Sequence, residues 1–175
     1  MIPKVELIYS YEYAERLFRG GLQEFEEAWA SLIKNGAIFE VIFDQAIDPI
    51  LKNLPKVTGY EWVWEKSFLP VYLIAEGQAF PEPLSLVASD NPEQMLYELI
   101  RMLTRINIKT GFANDQLRDQ TIQNVMKEVL KLAIINIYDA VADADLNLRE
   151  KYGEDFQVST LDLAKHPLKY YLDKK

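Results

Sequence analysis

The segment 89–109, SDNPEQMLYELIRMLTRINIK, constrains the fold most, because it joins a strong helix start to a clean amphipathic pattern. Asp90 or Asn91 can cap a helix, and Pro92 suits its first position. Apolar residues then recur on one face, at positions 95, 96, 99, 100, 102, 103 and 106. The opposite face is polar and carries Gln94, Glu98, Arg101, Arg105 and Lys109. Such a helix is stable when its apolar face is buried, so the chain must provide a core for it.

Three segments before this helix have the character of β-strands. PVYLIAE at 70–76 and PLSLVAS at 83–89 are rich in aliphatic residues, and prolines lie at their ends, where a missing N–H is tolerated. Tyr60, Trp62 and Trp64 occupy every second position, which is the period of a strand. Together these segments predict a small antiparallel sheet of about three strands.

The remaining apolar patterns are helical. Residues 11–34 form one such pattern, in which Gly20-Gly21 favours a kink or a split and Asn35-Gly36 offers a left-handed end. Asp48-Pro49 is typical of the start of a short helix that ends near Pro55. Residues 115–152 predict the longest helix, and the tail predicts one more short helix. We therefore expect one domain, residues 1–175, of class α+β, with a small antiparallel sheet packed against three or more helices.

Charge and composition exclude several classes of function. The chain has 27 acidic and 19 basic residues, and the net charge of −8 argues against non-specific binding to nucleic acid or to anionic membranes, since both need clustered Lys and Arg. There is no cysteine, which excludes disulfides, thiolate nucleophiles and cysteine-ligated metal centres. No secretory h-region and no apolar run of membrane length is visible, so we expect a cytoplasmic protein.

A polar ridge in the longest predicted helix supplies a first set of candidate site residues. Asn136, Asp139 and Asp143 fall on a different side of that helix from the polar residues near its start. Either this ridge faces solvent, which is favoured because carboxylates are rarely buried without a partner, or it lines a polar cavity. In a cavity, the two aspartates could hold a hard cation.

Three segments taken in order, TGYEW (58–62), VYLIAEGQAFPEPLSL (71–86) and DNPEQMLYELIRMLTRINI (90–108), resemble a family of small, mainly archaeal zincin-like metallopeptidases. The segment GFANDQLRDQTIQNVMKEV (111–129) also resembles the one that follows in that family, so the resemblance covers about residues 57–129. In that family two histidines of the helix bind zinc, and a glutamate next to the first histidine is the catalytic base. The matching positions here carry Arg101, Met102 and Arg105. A guanidinium stays protonated and has no lone pair for a metal, and Met102 has no basic group.

The resemblance therefore implies a zincin-like fold that has lost its hydrolytic centre and holds no zinc or other cofactor there. It also implies that this helix borders a cleft beside an exposed strand edge. Arg101 and Arg105, with Glu98 nearby, would then bind a small anion or an acidic peptide, and the domain would act as a binding or scaffolding module. The simpler interpretation is a solvated face on which Glu98 and Arg101 form a weak ion pair.

Two further functions stay open on the sequence. One is a hydrolase in which Asp139 and Asp143 hold a hard cation. The other is a purely structural or oligomerisation protein, for which an exposed apolar patch on the first helix around Phe18 and Phe25 would be the sign.

Overall fold

A computed structural model describes residues 2–62, 68–81, 83–108, 115–152, 163 and 165–172 of the chain. Within these residues there are six helices and four strands, which confirms the expected α+β class. The strands are β1 (Lys4–Ile8), β2 (Phe68–Ile74), β3 (Phe80–Pro81) and β4 (Leu84–Val87). The helices are α1 (Tyr11–Leu17), α2 (Leu22–Thr58), α3 (Pro92–Asn107), α4 (Asp115–Ala133), α5 (Tyr138–Tyr152) and α6 (Leu168–Leu172).

The sheet is parallel where an antiparallel sheet was expected, so that prediction is wrong. Its strand order is β1-β2-β4-β3; β1 pairs in parallel with β2, and β2 in parallel with β4. Only the two-residue strand β3 runs antiparallel, beside β4. β1 and β2 are parallel because the chain passes through two helices, α1 and α2, between them. Such a helical crossover brings the second strand back in the same direction as the first. β1 was not predicted, although polar and apolar residues alternate through Lys4, Val5, Glu6 and Leu7, as is typical of a strand.

The aromatic segment that begins at Tyr60 does not form a strand in its described part, which ends at Trp62; Trp64 lies outside the described residues. Trp62 is buried, and its indole Nε1 donates a hydrogen bond to the carbonyl of Leu51 at 2.9 Å. Its large side chain is thus packed on α2 as part of the core, with its polar atom satisfied.

Helix α2 is one 37-residue element where two helices were expected. The split at Gly20-Gly21 is confirmed, since α1 ends at Leu17 and α2 begins at Leu22. The helix then continues through Asn35-Gly36 and through Pro49, and ends only where Gly59 adopts a left-handed φ of 77°. A proline inside a helix costs about 3 kcal/mol. Burial of each large apolar side chain on either side of Pro49 returns about 1.5–3 kcal/mol, so the buried stripe outweighs the local stop signals.

Gly36 has a packing role in α2 and no role in ending it. A Cβ atom at this position would lie 2.6 Å from Cε1 and the hydroxyl of Tyr9 and 2.9 Å from Cδ1 of Leu73. Leu73 is fully buried in β2, and the Tyr9 hydroxyl donates to Oε1 of Glu40 at 2.8 Å. The absence of a side chain therefore lets α2 approach the sheet closely, and an added methyl group would require the Tyr9 and Leu73 side chains to shift.

We expect Gly36→Ala to destabilise the protein by about 1–2 kcal/mol, because overpacking costs more than the helix propensity of alanine contributes. The free energy of unfolding in urea measures this change. The neighbouring Asn35→Ala is the matched control, and we expect it to be neutral or to stabilise by up to about 0.5 kcal/mol through helix propensity alone. Equal gains in stability from both substitutions would show that α2 does not rest closely on the sheet at Gly36.

The predicted helix 115–152 begins and ends as expected but is interrupted at Ile134, so a single helix is wrong. Ile134 has a φ of 59°, in the left-handed region. Its N–H donates to the carbonyl of Lys131 at 3.3 Å, and the N–H of Ile135 donates to the carbonyl of Leu130 at 3.0 Å. These two bonds form a Schellman motif, in which glycine usually takes the place that Ile134 holds. Without a glycine in the sequence, the end of α4 carried no recognisable signal.

We expect Ile134→Gly to stabilise the protein by about 1 kcal/mol, because glycine adopts this conformation without the strain that a β-branched residue suffers there. Thermal unfolding followed by circular dichroism measures the change. Ala142→Gly, at an exposed position inside α5, introduces the same residue at an ordinary helical position and should destabilise by about 1 kcal/mol. If Ile134→Gly destabilised the protein like this control, the left-handed turn would not exist in solution.

In the described part of the chain, no helix combines the length and the apolar character that crossing a membrane requires.

Candidate functional site

Helix α3 is placed by its caps and by a buried polar contact. Its start is confirmed: Asn91 is the N-cap, with Oδ1 accepting from the N–H of Gln94 at 3.0 Å, and Pro92 takes the first position. At the other end the buried amide of Asn107 accepts from the hydroxyl of Thr58 and donates from Nδ2 to the carbonyl of Tyr60 at 3.0 Å. These bonds join the ends of α2 and α3, so α3 lies in a fixed position between α2, α4 and the sheet.

The two faces of α3 divide as the sequence predicts. The six apolar residues at 95, 96, 99, 100, 102 and 103 are buried. Met102 is only 1% exposed and lies in the core, while Arg101 and Arg105 are half-buried on the polar side. The position that would carry a zincin base therefore faces away from solvent. Lys109 lies outside the described residues.

Both arginines have carboxylate partners. Arg101 contacts Oε2 of Glu98 through Nη2 at 2.9 Å and through Nε at 3.0 Å, which confirms the ion pair expected at that spacing. Arg105 contacts Oδ1 of Asp119, on α4, at 3.2 Å. The other oxygen of Asp119 contacts Nζ of Lys151 on α5 at 3.2 Å. Arg105 and Lys151 thus contact one carboxylate and Arg101 contacts another, in a chain whose net charge is −8.

A groove of about 580 Å³ lies between the polar side of α3 and the end of the sheet. Residues Gln94, Glu98, Arg101 and Arg105 line its helical wall. The opposite wall contains Leu86 and Val87 of β4, followed by Ser89. This volume lies within the usual range for ligand-binding pockets. The groove therefore places both candidate arginines and Glu98 along one concave surface.

The sheet wall of this groove includes a short stretch of β4 that lies beyond its pairing with β3, and Gln78 and Ala79, just before β3, also line the groove. β4 pairs with β3 only through Leu84 and Ser85. No other described strand pairs with Leu86 or Val87 on that side, while their other side faces β2. An unpaired edge presents N–H and C=O groups that can accept another strand. The groove thus combines main-chain hydrogen-bonding groups with cationic side chains.

A second, smaller cavity of about 180 Å³ lies between α3, α4 and α5, and Glu98 and Arg101 line this one too. Behind it a chain of hydrogen bonds crosses three helices. The hydroxyl of Tyr97 donates to Oε1 of Gln123, and Nε2 of Gln123 donates to Oδ1 of Asp145 at 2.9 Å. Lys127 closes the chain with a contact of 2.7 Å to the other oxygen of Asp145. These polar contacts hold the helical wall of the groove in place.

The structure does not bring the ridge residues Asn136, Asp139 and Asp143 to this groove. All three are exposed; Asp139 and Asp143 lie on α5, and Asn136 lines a cavity at the turn between α4 and α5. Among the described residues no group of three side chains is arranged to hold a metal ion. The exposure of Asp139 and Asp143 agrees with the favoured interpretation of the ridge as a solvent-facing surface. The apolar patch around Phe18 and Phe25 that would have favoured an oligomerisation protein is not exposed, because Phe25 is 1% exposed and Phe18 packs against the core.

Asp119 and Lys151 are site residues that sequence reasoning missed. Each is polar and lies on a helix, so nothing distinguishes it from an ordinary surface residue. Their relevance arises only because α4 and α5 bring them next to Arg105, which lies 14 residues before Asp119 in sequence. No spacing rule within a single helix could have indicated this cluster.

Comparisons of the chain with protein-family models, with curated proteins and with solved structures found no match. The resemblance to zincin-like metallopeptidases therefore has no support from them.

Burial and the carboxylate of Glu98 raise the pKa of the Tyr97 phenol well above its ordinary value. Below a pH of about 10 the phenol is protonated in the folded and the unfolded chain. Above it the unfolded chain releases the proton first, so the free energy of unfolding falls as pH rises, by up to about 1.4 kcal/mol per pH unit for one such group. This stabilisation is therefore complete below pH 10 and is lost in alkaline solution.

We expect Tyr97→Phe to lower stability at pH 7 by about 1 kcal/mol, since Gln123 loses a hydrogen bond, and to make the decrease between pH 10 and 11 shallower. Urea unfolding at pH 7, 10 and 11 measures both effects. An alkaline decrease as steep as that of the unmodified protein would contradict a folded Tyr97 that keeps its proton.

Proposed function

We propose that the chain is a non-hydrolytic binding module that holds an extended acidic peptide in the groove between α3 and β4. The observation that carries the proposal is the combination, in one groove, of main-chain groups at Leu86–Val87 that no described strand pairs with on that side and of two guanidinium groups, Arg101 and Arg105. A peptide added to a strand edge gains main-chain hydrogen bonds, while pockets beside it select side chains. Arginine guanidinium groups favour carboxylates in that role.

The relation to zincin-like metallopeptidases belongs to this proposal. In support, α3 lies beside the end of the sheet, in the arrangement that the resemblance implies for a cleft-bordering helix. Arg101 and Arg105 take the positions of the metal ligands, and neither can coordinate a cation. Met102 supplies no base and is buried. In this interpretation the groove keeps the peptide-binding surface of a peptidase and lacks its chemistry.

Glu98 gives the proposal a distinctive consequence. Its carboxylate oxygen Oε2 already contacts Nη2 of Arg101 at 2.9 Å, and both side chains are partly exposed. An incoming carboxylate must therefore compete with Glu98 for the same guanidinium. Because an exposed ion pair contributes only about 0–1 kcal/mol, the exchange is feasible, and a residue that weakens binding lies within the site itself.

The test uses a fluorescein-labelled peptide of alternating Glu and Val, with binding followed by fluorescence anisotropy at low and high salt. We expect Arg101→Ala and Arg105→Ala each to weaken binding about tenfold, since a charge-assisted hydrogen bond contributes about 1.5 kcal/mol or more. Glu98→Gln should strengthen binding by about threefold, because the competing carboxylate is removed. Arg149→Ala, an exposed arginine on α5 outside the groove, is the matched control and should have no effect.

Two outcomes would contradict the proposal. Binding unchanged in the Arg101→Ala, Arg105→Ala double variant would remove the anion site, provided that circular dichroism shows the variant folded. A peptide N-methylated at alternate amides should lose affinity, since it cannot form the ladder. If it bound as tightly as the unmodified peptide, strand addition at β4 would be wrong even with the arginines involved.

A further inference from the structure

A cavity that opens to solvent lies at the turn between α4 and α5, separate from the groove. It has a volume of about 430 Å³. Its lining is mainly aliphatic, with Leu130, Ile134, Ile135, Ile137 and Val141. Leu130 and Ile137 are buried and form its floor, whereas Ile134 is 93% exposed at its edge. An open apolar cavity of this size lies near the lower end of the range for small-molecule sites, about 300–1,000 Å³.

The residue at the edge of this cavity is unfavourable for the free protein in two ways. Ile134 places a β-branched side chain in the left-handed region, where glycine fits without strain. It also exposes nearly its whole apolar side chain to water. No contact within the described fold offsets either of these two unfavourable contributions. A bound apolar molecule would offset part of the second one, because it would cover the Ile134 side chain.

Two lysines lie on one side of the cavity and give it a charge. Lys127 and Lys131 lie four residues apart on α4, hence on one ridge of the helix, and both line the cavity. Lys127 is held by Asp145 at 2.7 Å. Lys131 is more exposed, and the ion pair that it forms with Glu128 spans 3.6 Å. Such a long surface pair is weak, so the Lys131 ammonium can turn toward an anion at the mouth of the cavity.

From these features we infer that the cavity binds an amphiphilic carboxylate, with an unbranched acyl chain along the aliphatic lining and the carboxylate at Lys131. The acyl chain matches the apolar floor of Leu130 and Ile137. The carboxylate head group matches the ammonium group of Lys131, which lies on one side of the cavity. An acyl chain of about ten carbons suits the cavity volume. This site is independent of the proposed peptide groove, with which it shares no lining residue.

Decanoate is the probe, titrated below its micelle-forming concentration into protein labelled with ¹³C at the isoleucine δ1 methyl groups. We expect saturable shifts confined to the methyl signals of Ile134, Ile135 and Ile137. Lys131→Gln should weaken decanoate about fivefold and leave decanol, which has no charge, within about twofold, as expected for one exposed charge pair. Ile134→Gly should weaken both ligands about threefold or more through lost apolar contact, while raising the melting temperature.

Ile38→Ser, which removes an exposed apolar side chain from α2, is the control and should leave decanoate binding unchanged. Shifts spread over the whole protein, or no saturation, would overturn the site. Equal weakening of decanoate and decanol by Lys131→Gln would overturn the assignment of the head group. Shifts of the same methyl groups with an acidic amphipathic helical peptide, but not with decanoate, would make the surface a protein-docking site and refute the proposed ligand class. None of these outcomes depends on the groove at α3.

Discussion

The other elements are arranged around one continuous buried stripe on α2. Phe25, Leu32, Phe39, Phe43, Ile50 and Leu54 follow it from one end of the helix to the other. The sheet, α3, α4 and α6 all pack against this helix, and Gly36 lets it approach β2 closely. Because the stripe does not stop at Asn35 or at Pro49, the helix does not stop there either. Burial is thus the dominant contribution, and local propensity decides only where α2 begins and ends.

The position of α3 follows from that arrangement and sets up the groove. Its apolar face fills the space beside α2, and Asn107 fixes its end through Thr58 and Tyr60. The polar face is then left at the end of the sheet, where β3 is too short to cover the whole edge of β4. The cationic cluster is shared with α4 and α5 through Asp119 and Lys151. One helix therefore contributes to the core with one face and to a candidate binding surface with the other.

Much of this helix could be predicted from the sequence. The cap at Asn91, Pro92, the apolar face and the Glu98–Arg101 pair all depend on neighbours within about one turn, and all four are present. The partner of Arg105 could not be predicted, because it depends on how α4 crosses α3. The strand direction was missed for a similar reason, since it is set by the path of α1 and α2 between β1 and β2. The end of α4 was missed because an isoleucine occupies a place typical of glycine.

The sequence by itself determined the α+β class, the start of α3, and the absence of zinc-ligand chemistry at Arg101, Met102 and Arg105. These are properties of residue type and of short-range periodicity, and no packing can give a guanidinium a lone pair. The tertiary structure alone decided that the sheet is parallel, that α2 is continuous, and that both arginines have carboxylate partners and line a groove beside β4. Each of these depends on contacts between residues far apart in the chain, and the free energy of burying those contacts exceeds the local preferences that the sequence displays.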